Sequence, residues 1–214
     1  MKKETIILFD LDGTLIDSTE AILESFEVTF KTFHEEVPDN EAIKAQIGHP
    51  LDWMFLKLGV EEEEIWDHVA AYKKHYRKIS KAKTFLLPDA QEAVERAREF
   101  AILGVVTTKT AEYSIELLEH MGLMDDFEVL IGRENVEHPK PHPEPIQKAL
   151  LKLPRVSGDA WMIGDTCMDM ISAKSADIKG VAVSCGYGTV EQLSECSGKI
   201  CENSLDAVTY IAKK

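Results

Sequence analysis

Two carboxylates, Asp10 and Asp12, follow directly on the apolar, β-prone run Thr5–Phe9. Acids this close in a partly dry site repel one another. A pair of this kind holds a cation, shares a proton or attacks an electrophile, or else it is an ordinary strand-to-turn exit, since Asp and Gly are common turn residues. Gly13 allows a sharp turn behind the pair. Three later segments favour chemistry. The apolar run Ile102–Val106 ends in Thr107-Thr108-Lys109, and Ala160–Ile163 ends in Gly164-Asp165-Thr166, with Asp169 four residues beyond Asp165. Between them Lys140 sits in the proline-stiffened stretch His138–Pro145. Carboxylates, hydroxyls and one fixed ammonium suit Mg²⁺, which takes hard oxygen ligands, and a phosphoryl group, which needs hydroxyls, amides and a lysine. No Cys/His cluster flanks these run ends, which argues against zinc.

These groups converge only if the runs are strands of one sheet. Thr5–Phe9 reads as a fully buried strand. From Leu87 onward, strands at Ile102–Thr107, Glu128–Ile131, Ala160–Ile163 and Gly180–Ser184, with a weak edge at Lys199–Cys201, alternate with helices at Ala111–Met121, Glu144–Leu153 and Asp169–Ala176. That alternation predicts an α/β fold with a doubly wound parallel sheet, whose ligands bind at the carboxyl ends of the strands. Between Ser18 and about Lys83 the pattern is helical throughout. Asp17-Ser18-Thr19-Glu20 resembles a capping box, and Ile22, Phe26, Phe30 and Phe33 follow at near-helical spacing. Shorter helices are expected at Glu41–Ile47, Leu51–Leu58 and Glu61–Ile79, the last opening on the acidic run Glu61–Glu64 as a solvated first turn, with Trp53 and Trp66 in the core. The expected organisation is a core of residues 1–16 and 87–214, interrupted by an all-helical domain at 17–86.

The chain has 214 residues, 44% hydrophobic and 29% charged, as in an ordinary folded protein. Its net charge of −14 disfavours non-specific binding to nucleic acid or anionic membranes. Met1-Lys2-Lys3 looks faintly like a signal-peptide start, but the apolar stretch behind it is short and ends in acids. No segment approaches a membrane span. The four cysteines, Cys167, Cys185, Cys196 and Cys201, show no C-x-x-C spacing and read as free thiols of a reducing compartment. A cytoplasmic protein is expected.

Taken together, Asp10-Leu11-Asp12-Gly13-Thr14, Thr107, Lys140 and Gly164-Asp165 with Asp169 resemble, in order, the four motifs of a haloacid dehalogenase superfamily phosphatase with a small helical cap. The resemblance spans the whole chain. It implies that Asp10 attacks phosphorus and forms an aspartyl-phosphate, while Asp12 protonates the leaving oxygen and then activates water. It implies that Thr107 donates to the phosphoryl group, helped by amides near Asp12 and Thr108, and that Lys140 neutralises charge. Mg²⁺ is implied on Asp10, the backbone carbonyl of Asp12 and Asp165, with Asp169 reaching it through water or fixing its neighbours. The dehalogenases of the superfamily lack the Asp12 carboxylate, so its presence favours phosphate chemistry. Response-regulator receiver domains share the acids, Thr and Lys, but lack the insert and the late Asp pair; a silent binding protein would not need all these side chains. The chain is similar to phosphoglycolate phosphatases. Thr107-Thr108-Lys109 departs from the common Thr-Asn-Lys of that group and, with His138–Pro145, resembles bacterial inorganic pyrophosphatases. A sugar-phosphate phosphatase or phosphomutase shares the core and cap. His49, in Gly48-His49-Pro50, lies where related caps face substrate, or is a plain turn histidine. The expected partner is a small phosphorylated metabolite, with no nucleic acid or membrane, and a monomer or homodimer as the working form.

Overall fold

A computed structural model of the chain describes residues 3–214. Met1 and Lys2, where the faint signal-like start was read, lie outside the described residues. Strands β1 (Thr5–Phe9), β4 (Ala101–Val106), β5 (Val129–Ile131), β6 (Ala160–Gly164), β7 (Lys179–Val183) and β8 (Ile200–Cys201) form one sheet in the order β5-β4-β1-β6-β7-β8. Every neighbouring pair is parallel. β1 is central because it is apolar on both faces, a pattern that only a strand covered on both sides tolerates. Its side chains alternate accordingly. Ile7 and Phe9 join Leu103, Val105, Trp161 and Ile163 in one core layer, and Ile6 and Leu8 join Val106 and Met162 in the other. The first layer is covered by α5 (Ala90–Ala97), α6 (Ala111–His120) and α10 (Ser204–Ile211), the second by α7 (Glu144–Lys152) and α8 (Cys167–Ser175). Full burial of a side chain such as Phe9 stabilises the fold by about 1.5–3 kcal/mol. β4 and β6 flank β1 on opposite sides, so the winding reverses at β1, the usual place for a ligand crevice in such sheets.

The chain divides into two compact units, Met1–Asp17 with Leu86–Lys214, and Ser18–Phe85. Two short strands at their junctions, β2 (Ile16–Asp17) and β3 (Phe85–Leu86), pair as a separate ribbon. The second unit is helical: α1 (Thr19–Thr32), α2 (Asn40–Lys44), α3 (Leu51–Lys57) and α4 (Ile65–Ile79). Its centre is aromatic, with the Phe26 ring 4.7 Å from Phe55 and 5.0 Å from Tyr72. His68 is fully buried there, stacked on Phe33, with Nδ1 2.9 Å from the Glu64 carbonyl and Nε2 3.0 Å from a Glu35 carboxylate oxygen.

Several local expectations are corrected. Ser18 is the N-cap of α1 but its side chain makes no cap hydrogen bond. The acidic run Glu61–Glu64 precedes α4 instead of forming its first turn. Trp66 is 66% exposed, because the buried face of α4 is set by Ile65, His68, Val69, Tyr72 and Tyr76. Helices α9 (Val190–Cys196) and α10 were not foreseen. The reading of four free thiols fails: Cys167 at the start of α8 is disulfide-bonded to Cys196 at the end of α9, 29 positions away, leaving Cys185 and Cys201 free. With it falls the cysteine argument for a reducing compartment. Among the described residues no helix is long and apolar enough to cross a membrane.

Candidate active site

The carboxyl ends of β1, β4 and β6 bring the sequence-selected groups together. Asp10 is the first residue past β1, Thr107 the first past β4, and Asp165 the first past β6. All three are buried, as are Lys140 and Asp169. Carboxylate oxygens of Asp10, Asp165 and Asp169 lie within 4.8 Å of one another. Lys140 enters from the loop before α7, whose Lys140–Pro141 bond is cis. Its ammonium stands 2.9 Å from Asp10 Oδ1 and 2.5 Å from Asp169 Oδ1, and donates to the Val106 carbonyl at 3.0 Å. Both oxygens of Asp169 are engaged, because Oδ2 accepts from the backbone N–H and hydroxyl of Thr166 at 3.1 and 2.8 Å, closing a capping box on α8. Asp165 accepts from the Thr14 hydroxyl at 3.2 Å and the Tyr187 N–H at 2.8 Å.

Close approach dictates the glycines. Gly13 has φ +81°, and a Cβ there would lie 2.2 Å from Asp165 Oδ2; a Cβ on Gly164 would lie 2.2 Å from Asp169 Cγ. Each leaves room for a carboxylate.

The electrostatics are out of balance. Three buried carboxylates face one ammonium, so with all three ionised the group carries two negative charges in excess. Burial pushes the Asp10 carboxyl up from 3.8 to about 7, with Lys140 opposing and Asp169 adding to the shift. Asp165 is likewise raised well above its ordinary value by burial and by the charges of Asp10 and Asp169. Burial pulls Lys140 down, but Asp10 and Asp169 more than offset it, so the ammonium stays charged. An all-oxygen donor set with a charge deficit of this size fits a hard divalent cation.

Asp12 stands apart from the trio. Its two carboxylate oxygens lie 3.0 and 3.1 Å from the Lys109 ammonium, with both side chains largely buried. From sequence, Lys109 reads equally as a lysine that guides a phosphate and as a surface lysine beginning a helix; its one signal is its place two residues after Thr107. Thr107 accepts from the Lys109 N–H at 3.2 Å, and Thr108 is half-buried beside it. Cys185 lies 3.5 Å from the Gly13 carbonyl, its thiol pushed up to about 11 by burial and by the nearby Asp165 charge.

His49 belongs to the helical unit, where its ring stacks on Trp53 at 3.7 Å. Burial, and next the Lys57 charge, lower its pKa. Trp53 is half-buried in that stack, not a core residue. His138 and His142 do meet in space, with Glu144, on the exposed loop around Lys140. Glu144 accepts there from the backbone N–H groups of Glu137 and His138 and pairs with Lys148, which holds its carboxyl far below the usual range. The group fastens the loop, and the Ser172 hydroxyl ties it to α8 through the His142 carbonyl at 2.8 Å.

Comparison with known proteins agrees with this geometry. The sequence profile of the haloacid dehalogenase-like hydrolase family matches residues 7–183. A probable phosphatase, IndB, of Dickeya dadantii is 32% identical over 97% of this chain and 93% of its own length. The pyrophosphatase PpaX of Halalkalibacterium halodurans is 35% identical over 85% of this chain and 83% of its own. A haloacid dehalogenase-like hydrolase of Streptococcus pneumoniae superposes with a TM-score of 0.87 at 28% identity, covering 99% of this chain and all of that one. With the sheet order, the helical insert and the four strand-end motifs in place, the chain belongs to the haloacid dehalogenase-like hydrolase family, among its phosphatases.

Proposed function

We propose that the protein is a Mg²⁺-dependent phosphatase of a small phosphorylated metabolite, working through an aspartyl-phosphate on Asp10. In this reading residues 1–16 and 87–214 are the catalytic core and 17–86 the cap. The observation that carries it is the Lys140 ammonium bridging Asp10 and Asp169 beside Asp165. Asp10, the backbone carbonyl of Asp12 and Asp165 would hold the metal. Both Asp169 oxygens already have partners, so its part is to fix Lys140 and the start of α8. Bound there, Mg²⁺ supplies the positive charge that the carboxylates and phosphoryl oxygens need.

The residues divide the work as follows. Lys140 favours the ionised form of Asp10 against its burial and aims it, because its ammonium contacts Oδ1 while the Leu11 N–H donates to the same oxygen at 2.7 Å. Asp10 attacks phosphorus in line, and the leaving oxygen departs with a proton from Asp12. Asp12, now a carboxylate, takes a proton from the water that cleaves the aspartyl-phosphate. Thr107 and the neighbouring amides hold the phosphoryl oxygens in place, and catalysis of this kind is mostly positioning and electrostatics.

For the leaving group, an ester like 2-phosphoglycolate is the first reading. Inorganic pyrophosphate is the second, favoured by the 35% identity to a protein named a pyrophosphatase and by Thr107-Thr108-Lys109. The test is phosphate release from a panel of phosphorylated metabolites and pyrophosphate with Mg²⁺. Asp10→Asn should fold and lose turnover, and Asp12→Asn should slow it by about 10²–10⁴. Sustained activity in the Asp10 variant would rule out the covalent route.

A further inference from the structure

Lys109 is absorbed by none of the steps above, yet it pairs directly with Asp12, the group that handles the leaving oxygen in this reading. Its ammonium sits across both oxygens of Asp12 at 3.0 and 3.1 Å, with its side chain only 11% exposed. Its backbone is held on both sides: the N–H donates to Thr107 Oγ1, and the carbonyl accepts from the Arg133 N–H at 2.9 Å. A lysine on a wandering surface loop has no such anchoring. Lys140, the other site ammonium, is committed to Asp10 and Asp169 on the nucleophile side. The two cations therefore divide the site, one with the attacking carboxylate and one with the carboxylate that serves the departing oxygen.

That division has a consequence for substrate choice. Asp12 must carry a proton to serve the leaving oxygen, so with substrate bound Lys109 no longer faces a full carboxylate charge and is free to meet an anionic substituent close to that oxygen. A lysine ammonium on a flexible four-carbon stem can turn from one carboxylate to a neighbouring anion without moving its backbone. We propose that Lys109 is a specificity-determining residue that pairs with an anionic group on the leaving side of the substrate, so that the enzyme selects phosphoryl compounds whose leaving group is itself charged. Both the carboxylate of 2-phosphoglycolate and the second phosphate of pyrophosphate have that chemistry, whereas a neutral alcohol does not. The inference rests on the phosphatase reading and on Asp12 facing the leaving oxygen.

The experiment compares kcat/KM for pyrophosphate, 2-phosphoglycolate and 2-hydroxyethyl phosphate, the neutral counterpart of the second, in wild type, Lys109→Met, Lys109→Gln and Lys109→Arg. Circular dichroism checks that each variant folds. Lys109→Met and Lys109→Gln should lose about 10- to 100-fold more on the charged-leaving-group substrates than on the neutral one, the range of a charge-assisted hydrogen bond. Lys109→Arg should restore most of the preference. The charged substrate with the larger wild-type kcat/KM identifies the source of the anion. Equal losses on all three substrates, or no loss, overturn the proposal, because a lysine that only props Asp12 or binds the transferred phosphoryl group cannot tell leaving groups apart. A wild-type protein that hydrolyses none of them, nor the generic substrate p-nitrophenyl phosphate, fails the phosphatase reading itself; one that cleaves only p-nitrophenyl phosphate fails this inference alone. An active wild type with unchanged ratios in the variants fails only this inference.

Discussion

At the scale of single residues, the site turns on Lys140. A lysine buried this deeply survives only if paired, and here two carboxylates and a carbonyl hold its ammonium. Removing it strands Asp10, Asp165 and Asp169 together without a cation. Lys140→Met should therefore abolish turnover and destabilise the metal-free fold by about 3–5 kcal/mol, the usual cost of breaking a buried ion pair from one side. Denaturant unfolding measures it. A loss under about 1 kcal/mol, the scale of a surface pair, would mean that the three acids are not packed as described. The part of Lys140 was legible in the sequence because prolines isolate it before a helix. Lys109 was not, since a lysine ahead of a helix looks like any solvated one until Asp12 is placed against it.

The elements owe their positions to a few close contacts. The turn after β1 brings Gly13 against Asp165, at the end of β6, so any side chain there pushes two strand ends apart. Gly13→Ala should cost more than the roughly 1 kcal/mol of an ordinary glycine replacement, through its left-handed φ and its clash with Asp165, the carboxylate proposed to hold the metal. Weakened Mg²⁺ binding by calorimetry would accompany the loss of stability. Wild-type affinity in this variant would count against the contact. The strands were readable because each is a short apolar run ending in a polar signature. Helices α9 and α10 were missed because Val190–Cys196 and Ser204–Ile211 are short and follow no long periodic pattern; Thr189 and Asn203 cap them, but cap signals alone are common in loops. The pairing of Cys167 with Cys196 was invisible for a related reason, since it depends on α8 packing on α9. Thiol titration of the denatured, unreduced protein should find the two free cysteines, Cys185 and Cys201, and all four after reduction. Four before reduction would exclude the bond.

For the molecule as a whole, the site is a source of instability that the proposed divalent cation would remove. The Asp10 carboxyl is raised to about 7 in the folded protein from an ordinary 3.8, so between those values the folded state binds more protons than the unfolded one. By linkage, stability then falls as pH rises. The contribution is fully present below about pH 4 and is lost as pH climbs through about 7. Asp165, raised for the same reason, adds to the trend. The net charge of −14 spread over the surface gives a slope of the same sign, so wild-type data alone do not separate the two. Asp10→Asn does. In chelator at about pH 8, this variant should melt at a higher temperature than wild type, and the gap should close on acidification as the wild-type carboxyl takes up its proton. Adding Mg²⁺ should raise the melting temperature of wild type more at about pH 8 than at about pH 5, and should do less for Asp10→Asn, which keeps fewer charged oxygens for the cation. A variant that melts below wild type at high pH in chelator would show that the Asp10 charge is already compensated without metal, and the argument for a divalent cation at the end of β1 would fail with it.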